Sequence, residues 1–444
     1  MTLARELARY IRAVNYADIP AAARREAARS LLNWTGCAVG GSRHAAIERT
    51  LAAVLPFSAG GQCTLLGRHE RIDALHAALI NGMSAHVLDF DDTHLRTLLH
   101  PSVPVASALL ALAERRPLSG REFLTAFIAG VEIECRIANA IWFAHNSHWY
   151  ITGTAGVFGA AAAVARALGL DEDQTTHALG IAAAQAAGTR EMAGTMTKSF
   201  IHGRAAQNGM LAALLAQQGF TAAETSLEGP HGFAHVLAPE RDLAMITAGL
   251  GATYEILHNS YKPFACGVVA HPVIDACIQL RNEHHLRATA IERVALVVSP
   301  RALELTGIPS PPNGLKSKWS IYHSAAVALV DGAAGEHQYT DERVTDPEVR
   351  TLREKVSATA DAHLQEIAAR VSITMKDGTV FARHVKRVVG CAENPMSDRD
   401  LEDKVRGLAH GMLPENRTAA LIATCWRIAD LGDVAELARA ASAQ

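Results

Sequence analysis

Ala85–Pro104 reads AHVLDFDDTHLRTLLHPSVP. It packs three aspartates, three histidines, two threonines and an arginine into twenty residues, and the segments on either side are strongly apolar. Those flanks, Ile72–Leu88 and Val103–Ala113, carry helical spacing. A polar connection between two helices that need burial predicts a helical body folded around it, with the connection as the floor of an active site. Asp89, Asp91 and Asp92 would stand at the negative end of a helix dipole, where carboxylates are disfavoured unless cations compensate. Asp89 and Thr93 are four apart and share a face if the helix continues. His100 precedes Pro101-Ser102 just before the next helix, where free backbone N–H groups favour an anionic ligand. A solvated acidic loop is the plainer reading, and the apolar flanks argue against it. Asp, Asp and His would also suit a divalent metal. No second compact ligand cluster accompanies them, so a metal-free acid/base site is expected.

Outward from this stretch, helical period continues to about residue 255. Pro20 starts a helix that runs to Gly40-Gly41, and further helices are predicted over Gly120–Ile141, Ala155–Leu168, Glu172–Ala187 and Gly203–Gln217. Small residues recur where helices must approach closely, as in GVFGAAAAVARALG (Gly156–Gly169) and GIAAAQAAG (Gly180–Gly188). Near Tyr254 the character changes. Ile291–Pro300 alternates and is β-branched, and Val371–Met375, Lys376-Asp377-Gly378 and Thr379–Val385 form a hairpin signature. Ser320–Gly332 returns to helix. After Asn394-Pro395, Ser397 and Asp400 make a capping-box start to a last helical stretch. The expectation is a mainly α protein: a large helical domain formed by both chain ends (1–257 and 394–444) and a smaller inserted α+β lid domain (258–393).

The totals agree with this. The 444 residues suggest two to three domains, and 49% hydrophobic against 20% charged residues supports a large core. A formal charge of −3 leaves no basic field for nucleic acid or an anionic membrane surface. The apolar run Thr152–Ala165 closes at Arg166 and reads as a buried helix rather than a membrane span. Seven scattered cysteines without a CxxC spacing, and an N-terminus lacking a signal-peptide core, point to a soluble protein of the reducing cytoplasm.

Three further polar clusters face the opening stretch. Thr195–Arg204 (TMTKSFIHGR) sets Lys198 beside the N-terminus of an Ala-rich helix, where an anionic substrate would relieve its conflict with the dipole. On spacing alone an ordinary exposed lysine explains it equally well. Tyr261-Lys262-Pro263-Phe264 enters a helix at the domain junction, where a lysine is usually just solvated. Lys318–His323 (KWSIYH) is a polar-aromatic helix start, and a lone His323 is more often a satisfied core or surface histidine than a catalyst.

Together these pieces resemble the MmgE/PrpD family, which includes 2-methylcitrate dehydratases, cis-aconitate decarboxylases and iminodisuccinate epimerases. The matching elements run in family order: HVLDFDDTH with HPSVPV (His86–Val105), TGTAGVFGAAAA (Thr152–Ala163), TKSFIHGRAAQNG (Thr197–Gly209), LEGPHGF (Leu227–Phe233), YKPFACG with HP (Tyr261–Pro272), KWS with AAVALVDG (Lys318–Gly332), and NPMS at Asn394. The resemblance implies a homodimer, a site between the domains, and catalysis without metal or organic cofactor. It sets the family's aspartate at Asp89, its threonine at Thr93, its histidine at His100 and its lysines at Lys198 and Lys262. Two positions depart. Where many members have histidine before the TAGVFG segment this chain has Tyr150, with His148 two residues earlier. Where dehydratase and decarboxylase relatives have tyrosine after the KFS-like motif it has His323, with Tyr322 beside it.

The expected activity is proton movement at the carbon α to a carboxylate of a small di- or tricarboxylate. His100 would be the acid/base, Asp89 would orient either His100 or the Lys198 ammonium, and Lys198, Lys262 and Arg204 would hold carboxylates. Tyr150 and His323 would be opposite-face acids, with Thr93, Tyr322 and His148 contacting substrate. Dehydration by a lyase ranks first, epimerisation or racemisation of an amino- or imino-dicarboxylate second and decarboxylation third. A non-catalytic, metabolite-binding helical dimer is the alternative of a different class.

Overall fold

The computed structural model describes residues 1–145 and 148–443. It is mainly α-helical, as the sequence predicts. Two hydrophobic cores form. The first draws on residues 4–261 together with 396–441, and the second on residues 265–391 with Cys37, Phe90 and Leu408 reaching into it.

The first core is built on close helix packing. The helix Ile151–Leu168 lies against Gly120–His145 and Met196–Gln217, and the last of these also packs on Ala74–Val87. Gly82 and Gly203 set that last approach. A Cβ on Gly203 would lie 2.3 Å from the Leu79 carbonyl oxygen, and one on Gly82 would lie 2.9 Å from the Gly203 Cα. Two bare backbones touching is what brings the start of the 196–217 helix beside the end of the 74–87 helix. The helix Asp398–Ala409, opened by a Ser397/Asp400 capping box, returns to pack on Ala21–Gly41. Ile151–Leu168 is, among the described residues, the one helix long and apolar enough to cross a membrane, and 89% of it is buried inside the protein.

The second core is a four-stranded sheet with helices His271–Glu283 and Ile321–Asp331 packed beside it. The strand Ile291–Val298 turns Ile291, Val294, Leu296 and Val298 inward. It pairs antiparallel with Ala369–Met375 (Val294 opposite Ile373) and parallel with Val356–Ala360 (Val294 opposite Val356). Val380–Val385 completes the sheet through the expected hairpin, whose Gly378 takes φ +88°. The sequence reading misses Val356–Ala360, a five-residue edge strand (VSATA) that is mostly small residues and exposed except at Val356 and Ala358, so its apolar signal is weak. It also starts two helices late. The 196–217 helix begins seven residues before Gly203 and the 151–168 helix four before Ala155, because burial overrides the weak propensity of Thr-, Ser- and Gly-containing starts.

A two-residue antiparallel ladder links the polar connection to the chain leading into the second core. Thr93 pairs with Ser260 and His94 with Asn259. Gly203→Val is expected to cost about 3 kcal/mol by overpacking. Gly407→Ala, at an exposed helical position with nothing within 4 Å of the new Cβ, is expected to gain about 0.5–1 kcal/mol. Urea unfolding of both variants checks the pair.

Candidate active site

The helix 74–87 ends with Leu88 as its C-cap, and Asp89 then takes φ +54°, the left-handed conformation that L-residues rarely adopt and Asp tolerates better than most. That turn directs the Asp89 carboxylate inward. Lys262 Nζ donates to Oδ1 and Lys198 Nζ lies 2.8 Å from Oδ2. Each lysine arrives for a structural reason. Lys198 is in the first turn of the helix whose Gly203 touches Gly82, and Lys262 follows the Thr93–Ser260 ladder by two residues. Burial alone would raise the Asp89 pKa, but the two ammoniums hold it well below the usual carboxylate range.

His100 is fixed from behind. Its Nδ1 is 2.9 Å from the Asp92 carbonyl oxygen and 3.1 Å from Asp91 Oδ2, and its backbone N–H donates to Thr152 Oγ1. Those two oxygens can only accept, and Thr93 Oγ1, 3.4 Å from the same nitrogen, can accept as well, so Nδ1 carries the proton and the lone pair of the neutral ring is on Nε2. Asp91 also accepts from His86 Nδ1 at 2.8 Å. Burial opposes its charge, yet His100 and His86 hold it well below the carboxylate range. Burial lowers His86 to about 3, so the ring is neutral. Asp92 accepts from Ser102 Oγ and Asn259 Nδ2, while burial raises it to about 6.

These groups face a cleft with about 520 Å³ of free space, part of it open to solvent. Asp89, Thr93, His100, Tyr150, Lys198 and Lys262 line it, together with Arg190 and Trp319. Leu98, Ile151, Val268, Val269 and Leu305 supply apolar wall. Lys198 Nζ is 5.0 Å from the Trp319 ring centroid and 5.8 Å from that of Tyr150. Burial pushes the Tyr150 phenol well above its ordinary value, so it holds its proton. Three cations against one lining carboxylate make the cleft a receptor for anions.

Arg190 is the charged lining residue that sequence reasoning missed, and Trp319 and the aliphatic wall were not among its candidates either. Its recruitment is a backbone event. Trp149 bridges Thr189, Tyr150 N–H donates to the Gly188 carbonyl and Arg190 N–H to the His148 carbonyl, which sets Tyr150 and Arg190 side by side. The available signal is an arginine directly ending the apolar run GIAAAQAAGT.

Four candidates are not among the lining residues. His323 is fully buried in the second core, with Nε2–H donating to the Gln338 carbonyl and its ring 5.7 Å from that of Tyr339. Tyr322, one residue earlier, is half-buried against the same core. Arg204 is exposed and bonds Gln207. It lies two residues beyond His202, about 200° around the helix from a ring that faces the site. His148 is exposed and contributes its backbone carbonyl rather than its ring.

Two sets of side chains, His86/His100/His202 and His86/Asp89/Asp91, bring possible metal-ligand atoms within 4.8 Å of one another. The geometry suits a cation poorly. His86 and His202 stack with centroids 3.3 Å apart and 13° between planes, so their lone pairs lie in nearly parallel planes and do not meet at one point. Both Asp89 oxygens already face ammoniums.

Residues 5–246 match the MmgE/PrpD N-terminal domain model and residues 264–428 the MmgE/PrpD C-terminal domain model. The chain belongs to the MmgE/PrpD family. It is 30% identical to cis-aconitate decarboxylase of Mus musculus (86% of this chain, 82% of that protein) and 28% identical to the enzyme of the same name from Aspergillus terreus (95% and 92%). It is 24% identical to 2-methylcitrate dehydratase of Escherichia coli K12 (79% and 78%).

Burial lowers His323 to about 4; Arg343 and Arg353 nearby oppose its charge and Asp331 favours it. The folded pKa lies below the unfolded value of 6.5, so the unfolded chain binds the proton more tightly. This histidine therefore removes stability as pH falls from 6.5 towards 4. His323→Gln is expected to gain on the wild type across that window, by up to about 3 kcal/mol. Parallel stability curves in denaturant titrations at stepped pH would contradict this.

Proposed function

We propose that the protein is a cofactor-independent lyase that removes water from a small hydroxy-polycarboxylate. The observation that carries this is His100, its Nδ1 proton committed to Asp91 and Asp92, lining the same cleft as three cations and a protonated phenol. Substrate carboxylates pair with Lys198, Lys262 and Arg190. His100 Nε2 takes the proton from the carbon α to one carboxylate, and Asp91 steadies the imidazolium that forms. Negative charge spreading onto that carboxylate is met by ammoniums already in place. Tyr150 gives its proton to the departing hydroxyl, which leaves as water, and an alkene acid remains. Asp89 spaces and orients the two lysines. The elements of the second core close the cleft as a lid and exclude bulk water.

Decarboxylation is the second reading, favoured by the higher identity to the cis-aconitate decarboxylases than to the dehydratase. There the cations would hold the remaining carboxylates, and protonated His100 would supply the proton to the carbanion left when carbon dioxide departs. Epimerisation fits less well. It needs a second group that takes protons as readily as it gives them, and burial of the Tyr150 phenol opposes that. The proposal includes a homodimer without a resident metal, in the cytoplasm; seven free, buried cysteines support a reducing compartment.

Proton NMR in D₂O with citrate, 2-methylcitrate, malate and cis-aconitate tests this. A new alkene signal from a hydroxy acid is the expected result. Carbon dioxide release from cis-aconitate without any alkene from the hydroxy acids would establish the second reading. His100→Asn is expected to slow the reaction about 100- to 10,000-fold, and Arg190→Met to raise KM more than it lowers kcat. Turnover unchanged in His100→Asn would sink the assignment.

A further inference from the structure

Leu88, Asp89 and Phe90 leave the 74–87 helix with three consecutive carbonyl groups, and each accepts from a different lysine. Lys318 Nζ donates to Leu88 O at 2.7 Å, Lys262 Nζ to Asp89 O at 3.1 Å and Lys404 Nζ to Phe90 O at 2.6 Å. Lys318 also donates to the Ala265 carbonyl, and Lys404 to Asn33 Oδ1 and to the carbonyl of Lys262 itself. Lys404 Nζ further lies 4.0 Å from the Phe90 ring centroid. Lys262 lines the cleft. Lys404 does not, and Lys318 borders a side recess beyond Lys198 and Trp319.

We propose that Lys318 and Lys404 are positioning residues: they hold the turn at Asp89 in its left-handed conformation and so aim its carboxylate between Lys198 and Lys262. The physical case has two parts. The carbonyl of the C-cap Leu88, and those of Asp89 and Phe90 just beyond it, have no helical partner and stand at the negative end of the helix, so they need donors, and cations suit them best. A residue with a Cβ at φ +54° also returns to negative φ when nothing constrains its flanking peptides. Lys318 on the Leu88 carbonyl and Lys262 on the Asp89 carbonyl hold the two peptide planes that flank Asp89, and Lys404 holds the next plane, at Phe90, together with the backbone of Lys262.

The three lysines come from distant stretches. Lys262 follows the Thr93–Ser260 ladder, Lys318 lies just before the 321–331 helix of the second core, and Lys404 belongs to the helix 398–409. The turn is therefore complete only when the second core and the helix 398–409 are both packed against the residues 4–261 of the first core. Lys404 ties two of these parts together directly, since it bonds the backbone of Lys262 as well as that of Phe90. Asp89 thereby becomes a reporter of assembly. Its carboxylate reaches both lysines when all three stretches are in place.

Crystal structures of Lys404→Met and Lys318→Met test this whatever reaction the cleft performs. The expected result is Asp89 at negative φ in Lys404→Met, with the ion pair between Lys198 and Asp89 broken. Affinity for tricarballylate, a non-reacting tricarboxylate, is expected to fall at least tenfold by calorimetry. Once a substrate is in hand, kcat should fall more than KM rises. Asp89 still near φ +54° and bonded to both lysines, with tricarballylate affinity unchanged and only the melting temperature lowered, would overturn the proposal and leave Lys404 a purely stabilising residue. Should Lys404→Met fail to fold, Lys318→Met carries the same two outcomes.

Discussion

Two ammoniums and one carboxylate, nearly sealed from solvent, organise this molecule. Lys198 and Lys262 would repel each other without Asp89 between them, and Asp89 would be forced to take up a proton without the lysines. Removing one partner of such a set leaves an uncompensated buried charge, typically costing about 3–5 kcal/mol. The rest of the architecture can be understood as the means of bringing those three groups together. The Gly82–Gly203 approach delivers Lys198, the Thr93–Ser260 ladder delivers Lys262, and the turn at Leu88–Phe90 delivers Asp89.

The surrounding electrostatics favour an anionic visitor. Histidines around the site contribute little positive charge of their own: burial keeps His86 and His202 neutral, although they stack within reach of His100. The buried acids are restrained as well. Glu134 has neither carboxylate oxygen hydrogen-bonded among the described residues, and burial raises its pKa well above the usual carboxylate range. What is left facing the cleft is Arg190, Lys198 and Lys262 against Asp89, a surplus of positive charge in a wall that is otherwise aliphatic. Small polycarboxylates meet both requirements, since they bring several negative charges on a short carbon chain.

Much of this was legible in the chain. Helical period, the Gly/Ala runs and the Asp-Gly hairpin signalled a mainly α protein with a small sheet, and the strand Ile291–Val298 and the Ser397/Asp400 capping box lie where their patterns put them. Of the candidate residues, Asp89, Thr93, His100, Tyr150, Lys198 and Lys262 line one cleft. His323, Tyr322, Arg204 and His148 come from the same segments but do not line it. One residue along a helix is a turn of about 100°, and a motif gives position along the chain more reliably than direction around it.

Sequence by itself determined the groups available and their order: an acidic and histidine-rich connection between two apolar helices, lysines at helix entrances, and small residues wherever backbones touch. Those properties follow from local chemistry, in which side-chain type and period fix what a segment must bury. Only the tertiary structure decided which charges meet. Arg190 enters the cleft through a bridge between Trp149 and Thr189, and Lys318 and Lys404 reach the Asp89 turn from residues 229 and 315 positions further along the chain (318 − 89 and 404 − 89). No local pattern encodes such pairings, because a buried ion pair is set by which backbones pack against each other across the fold.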